Sequence, residues 1–206
     1  MSMSLKTKST TYSMVRGDPL DLLLTRRSVP PRHLVAPGPT DSDIERMISA
    51  AMTAPNHGAL ISTRFVLIEP VNRDRLADLF VEAEKEVRPH ASGEALNRAR
   101  EKALNGACLL AVINRTFADH PDISVAEQTA STGAALGFLL LSAHALGFAA
   151  MAVSGEKTRT HTLRKAFALE PYEGLLCFVA IGTPIKTRGP RGPAQPDQVL
   201  SVWSGV

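Results

Sequence analysis

Apolar residues recur along this chain with two different spacings. Where they return every three or four positions the spacing predicts a helix, and where they form a short continuous run it predicts a buried strand. The predicted helices cover 18–28, 40–54, 72–87, 93–104, 125–146 and 160–168, and the predicted strands cover 64–69, 107–114, 148–153 and 175–182. This order predicts an α+β or three-layer α/β protein in which a modest sheet lies between helices.

The helix predicted over 125–146 is apolar on nearly every side, so it must be covered all round. The stretch 130–153 is almost free of charge and long enough to suggest a membrane span, but His144 interrupts it. We therefore predict a buried helix at the centre of a soluble assembly, with no membrane contact. Gly133 and Gly137 lie four positions apart, a spacing that allows close helix approach. A partner chain covers such a face more naturally than the protein's own core does.

Length and composition are those of an ordinary globular protein. The chain has 206 residues, of which 44% are hydrophobic and 21% charged, and this length suits one domain. We predict a single domain over 18–206 and a flexible N-terminal arm over 1–17, because the arm lacks periodicity and apolar weight. The arm contains no apolar segment, which predicts the absence of a signal peptide and a cytoplasmic location.

Charge, cysteines and missing motifs disfavour several classes of function. The net charge is +3, and without a long basic stripe and interleaved aromatics no binding to nucleic acid is expected. Cys108 and Cys177 each lie inside an apolar run, which favours buried thiols and leaves a disulfide open. The histidines lack metal-ligand spacing, so no metal site is expected. The absence of glycine-rich nucleotide motifs and of a nucleophile elbow argues against Rossmann dehydrogenases, nucleotide hydrolases and serine hydrolases.

Asp18 and Pro19 are typical of a helix start, and the helix that they begin ends in Arg26-Arg27-Ser28. Two guanidinium groups beside a hydroxyl suit a phosphate, because arginine offers a planar fork of donors and remains charged. The alternative is a solvated basic helix end, where arginine meets the negative end of the helix dipole. This segment alone favours the alternative, and the decision depends on the rest of the chain.

Four motifs, taken in order, make the chain resemble a known family. They are Arg26-Arg27-Ser28 after the first helix, Ala54-Pro55-Asn56-His57 after the second, Glu127-Gln128 leading through Ser131 and Gly133 to Leu146-Gly147-Phe148, and Ile181-Gly182-Thr183-Pro184 closing the last strand. Each motif is weak singly, but their order and spacing are specific and extend over most of the chain. With them the chain resembles the nitroreductase family of FMN enzymes, and in particular its short members.

The resemblance implies a three-layer α/β/α sandwich with a mostly antiparallel central sheet and a long buried central helix. It also implies an extensive homodimer that holds two FMN molecules between its subunits. The residues that it places at the flavin are Arg26, Arg27, Ser28, Thr53, His57, Ala152, Val153, Ser154, Lys186 and Arg188. Arg26 and Ser28 would contact the phosphate and ribityl chain, with Arg27 as an alternative donor. Lys186 and Arg188 are further candidate partners of the phosphate.

The implied function is that of an FMN-dependent oxidoreductase that works by alternate binding at one site. A reduced nicotinamide, NADH or NADPH, gives hydride to the flavin, and an electron-poor nitro compound or quinone then takes its place. Nothing in the residues requires a catalytic acid or base, because a reducible acceptor can draw protons from water.

The chain departs from the family pattern at two places. Over 58–64 it reads Gly-Ala-Leu-Ile-Ser-Thr-Arg where many members carry Gln-Pro-Trp, and Ala152-Val153 stand where short members tend to have Trp-Arg. These losses favour an alternative function, a catalytically slow FMN-binding carrier or sensor with a degenerate pocket. Two residues also have structural interpretations: His57 as a surface histidine, and Glu127 as a carboxylate at the positive end of the central helix.

Overall fold

A computed structural model describes residues 18–186 and 195–205 of the chain. The predicted arm over 1–17 and the site candidate Arg188 lie outside the described residues. The helices are α1 (Pro19–Thr25), α2 (Asp41–Ala51), α3 (Arg73–Val87), α4 (Gly93–Leu104), α5 (Val125–Ala145) and α6 (His161–Ala166). The strands are β1 (Leu34–Val35), β2 (Thr63–Leu67), β3 (Cys108–Arg115), β4 (Ala149–Val153) and β5 (Glu173–Pro184).

The five strands form one sheet in which all the named pairs are antiparallel. β3 lies between β2 and β5, while β4 and the short β1 both pair with β5. Side chains alternate across β3, so that Leu109 and Ala111 face α3, α4 and α6, whereas Leu110 and Val112 face α2 and α5. Helices therefore cover both faces, and the predicted α+β fold with a three-layer arrangement is confirmed.

α5 is the central helix of the prediction, and its covering is incomplete. Leu139 and Ala143 are fully buried against the sheet, but Ala130 and Gly133 on the outer side are exposed and Gly137 is only half-buried. The described part of this chain thus leaves uncovered a face that the sequence expects to be covered. None of the described helices is long and apolar enough to cross a membrane.

Several predicted boundaries are wrong by a few residues, for local reasons. α1 ends at Thr25, and the chain then becomes extended because Ser28 forms a bridge with Ala150 beside the sheet. α2 ends at Ala51 instead of Ala54, since residues 52–54 form turns before Pro55. The predicted capping residues are confirmed, and both cysteines are buried and free, which excludes a disulfide between them in this structure.

Candidate active site

A groove follows β4, which lies beside the segment that leaves α1. Ser28 forms a parallel bridge with Ala150, and the N–H of Val29 donates to the Ala150 carbonyl at 3.3 Å. Because the bridge is parallel, the chain from Ser28 onward runs in the same direction as β4. Arg26 lies at the start of this groove, where its guanidinium donates to the Ser28 hydroxyl at a long 3.5 Å. One end of the groove therefore carries a cation and a hydroxyl.

A cavity of about 580 Å³ opens at the other end of β4. Ser154 and Gly155 line it on one side, and the stretch Pro30–Arg32 lines it beside them. Its walls are apolar, and they include Phe80, Leu109, Met151, Leu163, Phe178 and Ala180. At about 3.3 Å of rise per strand residue, Ala150 and Ser154 are separated by about 13 Å. Pro30 and Met151 both line the cavity, so it adjoins the segment that pairs with β4.

Basic side chains dominate the polar lining of this cavity. Arg32, Arg98, Lys102 and Lys157 line it together with a single carboxylate, Glu101. The ammonium of Lys157 is already bound to Glu84 at 2.5 Å. Within the described residues Lys102 has no carboxylate at ion-pair distance, and its partial burial, followed by repulsion from Lys157, lowers its pKa. An anionic group in the cavity would relieve both effects.

A second cluster of polar side chains lies at the N-terminal end of α5. Ser124 and Glu127 form a capping box at the start of this helix, and Glu127 also contacts His57, with 3.1 Å between Oε1 and Nδ1. The bonds from Ser124 to Glu127, together with the one from His57, lower the pKa of Glu127 to about 2. Thr53 lies in the same loop region, exposed, with its hydroxyl bonded to the Ala50 carbonyl.

The two clusters are far apart within one chain. His144, near the end of α5, bonds to Thr25 next to Arg26, with 3.0 Å between its Nε2 and the Thr25 hydroxyl. Seventeen residues of helix separate Glu127 from His144, which corresponds to about 26 Å. One protomer therefore does not bring Thr53 and His57 to the groove.

A model of the nitroreductase family matches residues 23–183. The chain belongs to the nitroreductase family. It is 27% identical over 167 residues to the provisionally named NAD(P)H nitroreductase YdjA of Escherichia coli, and 32% identical over 166 residues to a provisionally named NAD(P)H nitroreductase of Haemophilus influenzae. Each alignment covers 81% of this chain and 88% of the relative.

A solved structure extends the likeness to the fold. The FMN- and NADPH-dependent nitroreductase NfnB of a Sphingopyxis strain, solved as a single-residue variant, superposes with a TM-score of 0.70 at 19% identity. The superposition covers 91% of this chain and 99% of that one. The predicted resemblance is thereby confirmed, and so is the expectation of a nitroreductase-like oxidoreductase.

The structure separates the predicted flavin residues of this nitroreductase into two groups. Arg26, Arg27 and Ser28 lie beside the start of β4, and Val153 and Ser154 line the cavity. Ala152 packs against the core on the α2 and α5 side, and the exposed Lys186 follows the end of β5. Thr53 and His57 form the distant group at the start of α5. The interpretation of Glu127 as a residue that opens the central helix is confirmed by its capping box.

Sequence reasoning missed the basic lining of the cavity. Lys102 belongs to a charged helix whose pattern resembles any solvated face, and only the packing of α4 against α3 brings it to the cavity. Arg32 follows Ser28 by four residues, which is the one local hint that it belongs to the same site. The contact between His57 and Glu127 joins residues 70 positions apart, and no periodicity signals such a pair.

Proposed function

We propose that this nitroreductase is an FMN-dependent oxidoreductase that passes electrons from NAD(P)H to an electron-poor acceptor, such as a nitro compound or a quinone. The observation that carries the proposal is the placement of polar groups at one end of β4 and of a cavity at its other end. It offers a cationic, hydroxyl-bearing end at Arg26 and Ser28 and an apolar, basic cavity beyond Ser154. FMN has a matching order of parts: a phosphate, a polar chain and a flat ring with polar edges.

The residues present fit FMN by their chemistry. Arg26 and Ser28 would bind its phosphate, since a guanidinium and a hydroxyl are strong donors to phosphate oxygens. Lys102 has no carboxylate partner among the described residues and would stabilise negative charge on the ring system. FMN, when bound, supplies two-electron hydride chemistry between a nicotinamide and an acceptor. The apolar walls would exclude water from that chemistry.

A homodimer would complete the site. Gly133 and Gly137 lie about midway between Glu127 and His144 on the uncovered face of α5, and a Cβ placed on either glycine meets nothing within 4 Å in this chain. Two copies packed antiparallel at these glycines would place the Glu127 end of one α5 beside the His144 end of the other. Thr53 and His57 would then reach the groove of the second copy.

The visible absorption spectrum of the purified protein, recorded anaerobically before and after adding NADPH or NADH, tests the proposal. A flavin spectrum that bleaches and returns when a quinone is added is the expected result. A protein that contains no flavin and takes up none from an FMN solution would contradict the proposal.

The second candidate function is a slow FMN carrier or sensor. Ser62 and Thr63, in the stretch that departs from the family pattern, are buried. The Thr63 hydroxyl donates to the Thr132 hydroxyl at 3.1 Å, and the Thr132 hydroxyl donates to the Ser62 carbonyl at 2.8 Å. Both side chains are therefore enclosed in the core and cannot assist a substrate. Bound flavin that neither nicotinamide reduces would favour this function over the first.

Replacing Arg26 by Ala is expected to weaken FMN binding about 10- to 100-fold, because a hydrogen bond to a charged group contributes about 1.5–3 kcal/mol. Fluorescence titration of the flavin-free protein measures the affinity. Riboflavin, which lacks the phosphate, should bind the variant as well as the unaltered protein. Arg75→Ala, an exposed arginine on α3, is the matched control. Equal losses for FMN and riboflavin would contradict the phosphate assignment.

A further inference from the structure

The cavity beyond Ser154 has an apolar floor and a charged mouth. We propose that its preferred acceptors are anionic: aromatic compounds that carry a carboxylate, which Arg32 and Lys102 bind at the mouth. This inference rests on the proposed function and adds a class of substrate to it.

Burial divides the lining of the cavity into these two parts. The floor consists of buried apolar side chains, namely Phe80, Leu109, Leu163, Phe178 and Ala180. Arg32, Arg98 and Lys102 are exposed, so they lie where the cavity meets solvent. An aromatic ring gains free energy on the floor, whereas a charged substituent avoids the cost of burial only if it stays at the mouth. A ring with one charged end therefore fits both parts.

Two of the four cations in the lining already have carboxylate partners. Lys157 donates to the buried Glu84 at 2.5 Å. Arg98 pairs with Glu94, which precedes it by one turn of α4. These two cations therefore contribute little to the attraction of a further anion.

Arg32 and Lys102 are the cations that remain for a ligand. Within the described part of the chain, neither has a carboxylate at ion-pair distance. Glu101 is the one carboxylate among the described residues that line the cavity, so the mouth has a net positive charge once the two ion pairs are counted as neutral. A carboxylate beside Lys102 would also offset the repulsion between Lys102 and Lys157. The mouth thus favours an anion over a neutral group of the same shape.

The end of α4 that carries Lys102 is held by a buried cation. The guanidinium of Arg73 donates to the carbonyl of Ala103 at 2.7 Å and to that of Gly106 at 3.3 Å. Its charge also meets the negative end of the helix dipole. Because these carbonyls are fixed, Lys102 stays beside the cavity before any ligand arrives. A site formed in advance loses less free energy on binding.

The reaction brings the acceptor to this lining. Hydride transfer needs the acceptor within about 3–3.5 Å of the flavin ring, and the proposed function places that ring at the cavity. With 4-nitrobenzoate, one hydride from the reduced flavin, which is oxidised, and one proton from water convert the nitro group into a nitroso group and one water molecule. The carboxylate takes no part and keeps its charge. Its attraction to the two cations therefore lowers KM and leaves kcat unchanged, because it stabilises the bound acceptor and the transition state alike.

Two acceptors that differ in charge test the inference. 4-Nitrobenzoate and 4-nitrobenzamide have nearly the same shape, and only the first is anionic. With NADPH or NADH as donor, the unaltered protein should have a KM for 4-nitrobenzoate about tenfold below that for the amide, since a hydrogen bond to a charged group contributes about tenfold or more in affinity. R32M/K102M should remove this difference. Any effect of Lys102 on the flavin ring changes both acceptors and cancels in the ratio of their KM values.

The matched control is K85M/K165M, which removes two exposed lysines that do not line the cavity. It lowers the net charge by the same amount and should keep the tenfold ratio. Equal KM values for the two acceptors in the unaltered protein would overturn the inference. A ratio that R32M/K102M leaves unchanged, or that the control removes as well, would also overturn it.

Calorimetric titration provides a readout without turnover. Oxidised protein without a nicotinamide has no source of electrons, so both acceptors bind without reacting. 4-Nitrobenzoate should bind about tenfold more tightly than the amide, and R32M/K102M should abolish that preference. Equal affinities in the unaltered protein overturn the inference. Failure of the proposed function looks different, since NADPH and NADH would then fail to bleach the protein while the calorimetric preference for the anion would persist.

Discussion

Replacing Gly137 by Leu is expected to leave each protomer folded while separating the two copies of the proposed homodimer and weakening the proposed FMN binding. Within one chain the new side chain meets open space, because nothing lies within 4 Å of the added Cβ. Leu also has a better helix propensity than Gly by about 1 kcal/mol, so an isolated protomer gains stability. Between two closely packed α5 helices the same side chain has no room. Sizing chromatography should show a monomer, and FMN affinity should fall at least about tenfold.

The control for this experiment is Gly93→Leu at the start of α4. Gly93 is also a helical glycine with open space at its Cβ position, but it lies away from α5. This variant should keep the oligomeric state and flavin content of the unaltered protein. A Gly137→Leu protein that remains a flavin-filled dimer would place the interface elsewhere, and Thr53 and His57 would then lose their route to the groove.

The parts of the fold that sequence predicts well are those set by local periodicity. α2 is an example, since its capping residues Thr40 and Asp43 and its buried Met47 lie within a few positions of one another. The sequence pattern does not predict β1, because this strand has two residues and exists only by pairing with the distant Thr183 and Pro184. A strand this short has no pattern of its own.

The residues of the candidate site follow the same rule: those in compact sequence motifs could be predicted, and those brought together by packing could not. Arg26 and Ser28 could be predicted as phosphate contacts because such a motif is compact in the sequence, although α1 ends at Thr25, before both residues. The basic cavity could not be found, since Lys102 and Ser154 are 52 positions apart in the chain and approach each other only through packing. The separation of His57 from Arg26 required the length of α5 in three dimensions. Periodicity predicts a helix of this length, but it does not predict which distant residues pack against each end of it.

Replacing Glu173 by Gln is expected to produce the largest loss of stability. Its side chain is 3% exposed and joins three strands, accepting two hydrogen bonds from Arg64 at 2.9 and 2.8 Å and one from Arg115 at 3.0 Å. Removing one partner of a buried ion pair costs about 3 kcal/mol or more, because the remaining charges lose their compensation. For a chain of this size the melting temperature should fall by about 6–12 °C. Urea unfolding at pH 7 measures the difference.

The acid dependence of this loss follows from the pKa of Glu173, which the Arg64 hydrogen bonds lower to about 2. A depressed pKa contributes stability above the ordinary glutamate value of about 4.3, and that contribution is lost as pH falls toward 2. The difference in unfolding free energy between the unaltered protein and E173Q should therefore be largest at pH 7 and much smaller at pH 3. Glu94→Gln, which disrupts an exposed pair with Arg98, should change little at either pH. An equal difference in unfolding free energy at both pH values would mean that E173Q acts through packing, and that the carboxylate charge does not hold β2, β3 and β5 together.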